Sequence, residues 1–134
     1  MKHIVILKEK YYNMIISGEK TIESRWSMNK CAPYKKVAVG DELLIKQMGK
    51  PVTLTAKVSN VMFFELTPKL VDELRVKYGK QIGTDKKEDW ESALNKKYAT
   101  LVWLKDVKEV DEIIVKRSNG AGWIVCENEQ LAIY

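Results

Sequence analysis

Within its first 27 residues the chain passes from a strand pattern to a helix pattern and back to a strand pattern, with hardly a residue to spare. His3–Lys8 (HIVILK) is a short β-branched apolar run, the mark of a buried strand. In the following EKYYNMIISG, Tyr11 pairs with Ile15 and Tyr12 with Ile16 at i,i+4, and Gly18 stands where a helix C-terminal glycine belongs. The spacing predicts a helix of about nine residues that stops at Gly18. KTIESRW then alternates, with Thr21, Glu23 and Arg25 on one face and Ile22, Ser24 and Trp26 on the other. A strand, a short helix and a strand in so little chain commit the fold to mixed α and β structure.

The remainder extends that pattern. Met28–Val39 contains Pro33, has little periodicity and reads as a long loop. Val39–Asp41 is a turn, Glu42–Met48 a strand, and Gly49–Pro51 a second turn. Val52–Leu66 begins with Val52, Leu54, Ala56 and Val58 on one face and is long enough to bend at Ser59-Asn60. Thr67 is a natural N-cap and Pro68 a first-turn residue for a helix with an apolar stripe of Leu70, Val71, Leu74 and Tyr78, closed by Gly79. Asp85 and Glu88 form a capping-box pattern for another helix, with Trp90, Ala93, Leu94 and Tyr98 as its apolar face. Ala99–Lys105 reads as a buried strand, Val110–Arg117 as another, SNGAG as a turn and WIVCE as a last short strand. Strands with one apolar face and short turns predict an α+β fold: a small, mixed and mostly antiparallel β-barrel with helices packed outside it.

At 134 residues the expectation is a single domain, 1–134. The charge of +5, from 23 Lys and Arg against 18 Asp and Glu, permits an anionic partner without demanding one. His3 is the sole histidine, and Cys31 and Cys126 lack any metal-ligand spacing, so no metal or cofactor is expected and the thiols are expected to be free. The N-terminal apolar run is too short for a signal peptide or a membrane span, which gives a cytoplasmic expectation with no membrane partner.

The unusual segment is the charged strand. Strands disfavour Lys and Glu, yet Lys20, Glu23 and Arg25 crowd into six residues. Lysine brings three donors, arginine a planar fork of donors and glutamate two acceptors. Such a set can read a base edge and hold a phosphate, with the glutamate accepting from an exocyclic amine. It can equally be an ion pair, since Glu23 and Arg25 lie two apart on one strand face.

SGEKTIESR, with its G-x-K-T-x-E-x-R core directly after an amphipathic helix, resembles the ASCH domain of the PUA-like superfamily of small β-barrels. VGDELLIK after a long loop and GAGW near the C-terminus extend the resemblance over roughly His3 to Glu127. The resemblance implies a cleft where the early helix meets the barrel, and binding of RNA or a nucleotide-like ligand there, in a module linked to translation, transcription or RNA modification. The alternative it implies is a hydrolase, either an amidohydrolase acting on N4-acetylcytidine or a ribonuclease. In that case Lys20 and Glu23 would be catalytic, with Lys20 stabilising an oxyanion or activating water and Glu23 as general base. Lys20 matches the lysine of the amidohydrolase motif. Its nucleophilic threonine falls on Glu23, and nothing in KYGKQIGTDKKE aligns with its glutamate, which counts against deacylation.

Around such a cleft the candidate RNA or ligand contacts are Lys20, Glu23, Arg25, Ser27, Lys35, Lys36, Gln47, Arg117 and Trp123. Ser27 continues the charged strand into the loop. Lys35 and Lys36, with Lys30, make a basic patch or a merely solvated loop. Gln47 ends a strand at the expected cleft mouth. Trp123, beside Arg117 and a glycine turn, either stacks on a base or plugs the barrel end. Trp90 and Trp103 read as core and His3 as an ordinary strand residue.

Overall fold

The computed structural model describes residues 1–115 and 121–126. Strand β1 (Lys2–Leu7) leads into helix α1 (Glu9–Ser17), which Gly18 ends in the left-handed region at φ 84°, its N–H bonded to the Ile15 carbonyl. Strand β2 (Ile22–Ser27) follows, then the loop, β3 (Glu42–Gln47), β4 (Val52–Glu65), helix α2 (Pro68–Ile82), a 3₁₀ helix (Lys87–Asn95), β5 (Tyr98–Ile113) and β6 (Trp123–Cys126). The six strands form one mixed sheet in the order β2-β5-β4-β3-β1-β6, curled into a half-barrel. The β1–β3 pair is parallel; the other pairs are antiparallel.

Strand alternation divides the core. Val5, Leu7, Leu43, Ile45, Leu54, Val58, Val102 and Trp123 share the inner cluster with Tyr12 and Ile15 of α1. Ile22 and Leu101 point the other way, into a cluster with Val71, Leu74 and Ile82 of α2 and Trp90 and Ala93 of the 3₁₀ helix. Edge strand β2 is therefore held between two cores, and its charged face turns toward the inner one.

Three expectations are corrected. Helix α2 does not close at Gly79; it runs to Ile82 and ends on Gly83, whose N–H bonds the Gly79 carbonyl at 2.9 Å. Gly79 is present for closeness instead. A Cβ there would sit 2.8 Å from the Asp85 Cα and from the Thr84 carbonyl oxygen as the chain doubles back. Gly79→Ala is accordingly expected to destabilise the protein by about 1–3 kcal/mol, although alanine is the better helix former by about 1 kcal/mol. Urea unfolding of the variant checks this, and a stabilised variant would refute it.

The Asp85/Glu88 capping box does not form. The segment is a 3₁₀ helix whose N-cap, Lys86, makes no side-chain cap bond. Thr84 organises the entry, with its hydroxyl on Asp89 Oδ2 at 2.6 Å and accepting from the Lys86 N–H at 3.2 Å. Leu94, on the expected apolar face, is exposed and Tyr98 already belongs to β5. Third, the two strands expected over Ala99–Lys105 and Val110–Arg117 are largely one, β5, which bends instead of breaking at Asp106 (φ 52°). Its partner β4 changes register nearby, and again between Val58 and Asn60, where the sequence placed a bend. Residues 116–120, including Arg117 and most of the SNGAG turn, lie outside the described residues.

Candidate ligand cleft

Lys20, Glu23 and Arg25 meet as a triad. Lys20 precedes β2, where its N–H bonds the Met14 carbonyl of α1 and the next N–H, of Thr21, bonds the Gln81 carbonyl of α2. These two anchors seat the lysine between the C-terminal ends of both helices. Its Nζ donates to the Ile22 carbonyl at 2.9 Å and to the Ile82 carbonyl at 2.6 Å, and lies 3.1 Å from Glu23 Oε1. The Ile82 carbonyl is in the last turn of α2, where a cation is favoured by the helix dipole. Glu23 Oε1 also accepts the Ser24 N–H at 3.1 Å, while Oε2 accepts Arg25 Nε at 3.0 Å and lies 2.9 Å from Nη2. Arg25 Nη2 reaches the Ile6 carbonyl of β1 at 3.0 Å, and Nη1 reaches the Gly122 carbonyl before β6 at 3.1 Å. One guanidinium thus ties the β2 edge of the sheet to its opposite edge.

Lys20 and Glu23 are only 3% and 4% exposed, which decides that this is a buried cluster and not a surface ion pair. Burial pushes the Glu23 carboxyl up, but the charges and hydrogen bonds of Lys20 and Arg25 outweigh it and hold the group below its ordinary value. Two cations against one carboxylate leave one positive unit in excess. All three Lys20 protons have acceptors, and Glu23 accepts four contacts. Arg25 keeps one Nη1 hydrogen with no partner among the described residues.

Above the triad lies a cleft of about 300 Å³ between α1, β2 and the 3₁₀ helix. Tyr11, Trp26 and Trp90 supply aromatic walls; Ser24, Thr84, Asp89 and Ser92 supply polar groups; Lys8 stands at the rim. Trp26 and Trp90 meet edge-on at 5.1 Å, and each indole N–H is already bonded, to Ser24 Oγ and to the Thr84 carbonyl. The Lys20 ammonium lies 5.7 Å from the centre of the Tyr11 ring. Both faces of β2 contribute because it is an edge strand: Glu23 and Arg25 from one, Ser24 and Trp26 from the other.

The other sequence candidates lie elsewhere. Ser27 donates to the Asn29 carbonyl at 2.7 Å. Lys35 and Lys36 are exposed on the loop, with Lys35 over the Tyr34 ring, and Gln47 ends β3 outside the cleft. Trp123 is buried and plugs the sheet; its indole N–H donates to His3 Nδ1 at 3.0 Å, and Arg25 sits 5.5 Å over its ring. His3 is no ordinary strand residue: it is fully buried, with Nε2 on Asp41 Oδ2 at 2.8 Å. Ser24, Thr84, Asp89 and Ser92 line the cleft without having been sequence candidates, and Trp90, read as core, walls it as well. Ser24 was hidden by its place on the apolar face, Asp89, Trp90 and Ser92 by a 3₁₀ segment read as an ordinary helix, and Thr84 by its place in the turn before that segment. Among the described residues no group of three or more His, Cys, Asp and Glu side chains could hold a metal, both cysteines are free thiols, and no helix is long and apolar enough to cross a membrane.

Comparison with solved structures gives the class of fold. The ASCH protein of Zymomonas mobilis superposes with a TM-score of 0.73 at 16% identity, covering 96% of this chain and 90% of that one. A tyrosine-to-phenylalanine mutant of the same protein matches equally well, at 0.73, 16% identity and 96% and 92% coverage. A hypothetical protein aligns at 0.52 with 14% identity, over 82% of this chain and all of the other (100%). This chain therefore has the ASCH fold. No family model and no curated protein matches the sequence.

Proposed function

We propose that the chain binds RNA or a nucleotide-like ligand in the cleft between α1, β2 and the 3₁₀ helix. The observation that carries this reading is the excess positive charge of the buried Lys20–Glu23–Arg25 cluster beneath a 300 Å³ cleft walled by Tyr11, Trp26 and Trp90. Aromatic walls accept a base by stacking whatever its identity, and the charge favours a polyanion. Ser24, Thr84 and Asp89 are the groups placed to read a base edge. Lys8, with Ser27, Lys35, Lys36, Gln47 and Arg117, would serve a strand that leaves the cleft. The likeness to the ASCH protein of Zymomonas mobilis supports the fold on which this reading stands.

The triad's hydrogen bonding favours binding over turnover. A lysine with all three protons on fixed acceptors has none to offer an oxyanion. A glutamate held low and already accepting four contacts is a weak base with no free lone pair for a water. N4-acetylcytidine should be recovered intact after incubation.

The test is titration of short single-stranded RNAs against tryptophan fluorescence. Binding should weaken with salt by about −0.7 in log K per log salt for each phosphate contacted, for about two to four contacts. Tyr11 is exposed, so Tyr11→Ala should leave the fold intact, yet weaken binding by about 1–3 kcal/mol through lost stacking. Unchanged affinity in Tyr11→Ala, or release of acetate or cleaved RNA by the natural protein, would sink the reading.

A further inference from the structure

A second recess of about 150 Å³ adjoins the cleft, sharing Arg25 and Trp26 with it. Trp123, Thr100, Tyr34 and Ser27 line it, and Pro33 and Cys31 of the loop form its outer wall. We infer that this recess is an oxyanion subsite that takes the phosphate of the nucleotide whose base occupies the cleft, so that the ligand is a nucleotide or a strand and not a free nucleoside. The inference rests on the reading proposed above and narrows its ligand.

Two buried hydroxyls carry it. Thr100 is 1% exposed and Tyr34 5%, yet neither side-chain oxygen has a hydrogen-bond partner among the described residues. No side-chain nitrogen or oxygen that is fully shut off from solvent lacks a partner. These two hydroxyls are therefore solvent-reached, and the recess is the opening that both residues line. Two hydroxyls that border one recess with no protein partner among the described residues are free to donate to whatever enters it. Thr100 faces Arg25 across the β2–β5 ladder, so its hydroxyl and the unpartnered Nη1 hydrogen of Arg25 lie on one side of the sheet.

The charge and spacing fit an oxyanion. The donors available are an arginine N–H and neutral hydroxyls, with the positive excess of the triad behind them and the ammonium of Lys35 within 5.8 Å of the Tyr34 ring centre. Among the described residues that line the recess there is no carboxylate. Along β2 the step from Ser24 and Trp26 in the cleft to Arg25 and Ser27 in the recess is one or two residues, about 3–7 Å, a span that the sugar between a base and its phosphate can cover.

The experiment follows tryptophan indole N–H resonances by NMR in the natural protein, Thr100→Val and Tyr34→Phe. The probes are inorganic phosphate, cytidine, cytidine 5′-monophosphate and a cytidine dinucleotide. Phosphate alone should shift the Trp123 resonance in the natural protein and not in Thr100→Val. The monophosphate should bind about tenfold or more tightly than cytidine, an advantage that either variant reduces several-fold while cytidine binding stays the same. A dinucleotide tighter than the monophosphate identifies a strand's phosphodiester as the occupant; the reverse identifies a terminal phosphate. Cytidine and its monophosphate binding equally, or a phosphate shift that survives both variants, would overturn the subsite and leave the cleft standing. A phosphate response without any nucleoside or nucleotide response would overturn the base-binding cleft and, with it, the claim that the recess serves a nucleotide. Thermal melts of both variants, each of which removes a single oxygen or replaces it with a methyl, confirm that the fold is kept.

Discussion

Glu23→Gln is expected to lose about 3–5 kcal/mol of stability, which for a chain of this size lowers Tm by on the order of 10 °C or more. The carboxylate is the one negative charge between two cations, and Lys20 and Glu23 are both nearly fully buried. A neutral amide leaves the buried Lys20 ammonium facing the partly buried Arg25 guanidinium with no negative charge between them. It also turns an NH₂ group toward at least one donor that now has an acceptor. Lys20→Met should be the milder change, because it leaves Glu23 and Arg25 as a neutral pair. The pH dependence has a definite sign. Glu23 titrates below its ordinary value when folded, so the unfolded chain takes up the proton first. Its contribution is complete at neutral pH and is lost as pH falls below about 4, the ordinary range of a carboxyl group. Urea unfolding at a series of pH values should show a shallower acid limb in Glu23→Gln. A loss under about 1 kcal/mol, the range of an exposed ion pair, would show that the triad is not the buried cluster described.

That cluster also shows what a sequence can and cannot carry. Alternation placed Glu23 and Arg25 on one strand face, and they do share it. The same alternation placed Ser24 and Trp26 on the other face, which is correct, yet all four border the cleft. Period-two patterns assign faces; they do not say which strand is an edge, and only at an edge do both faces open onto one cavity. Lys20 illustrates a second limit. Its acceptors include the Ile82 carbonyl, at the end of a helix beginning nearly fifty residues later, and no local pattern encodes that meeting.

Glycines were misread where their reason is contact and not conformation. Gly18 was legible because a helix end in the left-handed region prefers glycine. Gly79 was not, because its requirement is the backbone of Thr84 and Asp85 lying against it. Gly122 belongs with Gly79: a Cβ there would stand 2.6 Å from Arg25 Nη1, so the glycine of GAGW is what lets the guanidinium reach the carbonyl. The long β5 was split because its middle is charged and half exposed, and hydrophobic periodicity fades where a strand bends into solvent.

His3→Leu is expected to cost about 3 kcal/mol, although the substituent is apolar and the site fully buried. The His3 ring bridges the buried Trp123 indole N–H and the Asp41 carboxylate. The Trp123 indole can only donate, so His3 Nδ1 accepts from it and the ring proton lies on Nε2, directed at Asp41. Asp41 in turn accepts the Ala38 N–H at 2.9 Å and fixes the turn into β3. Burial raises the Asp41 carboxyl, but the His3 contact, the Ala38 N–H and the Met1 amino group bring it below its ordinary value. Leucine would fill the space and leave an indole N–H unpaired and a carboxylate short of a donor. Each such group costs about 1–3 kcal/mol when shut away from water, and a charged one more. The measurement is a double-mutant cycle of His3→Leu and Trp123→Phe by chemical denaturation. Phenylalanine removes the orphaned N–H, so the double variant should lose less than the sum of the two single losses, by about 1 kcal/mol. Strict additivity, or a loss in His3→Leu within about 0.5 kcal/mol, as at an ordinary surface position, would mean that the Trp123–His3–Asp41 chain does not hold this end of the sheet.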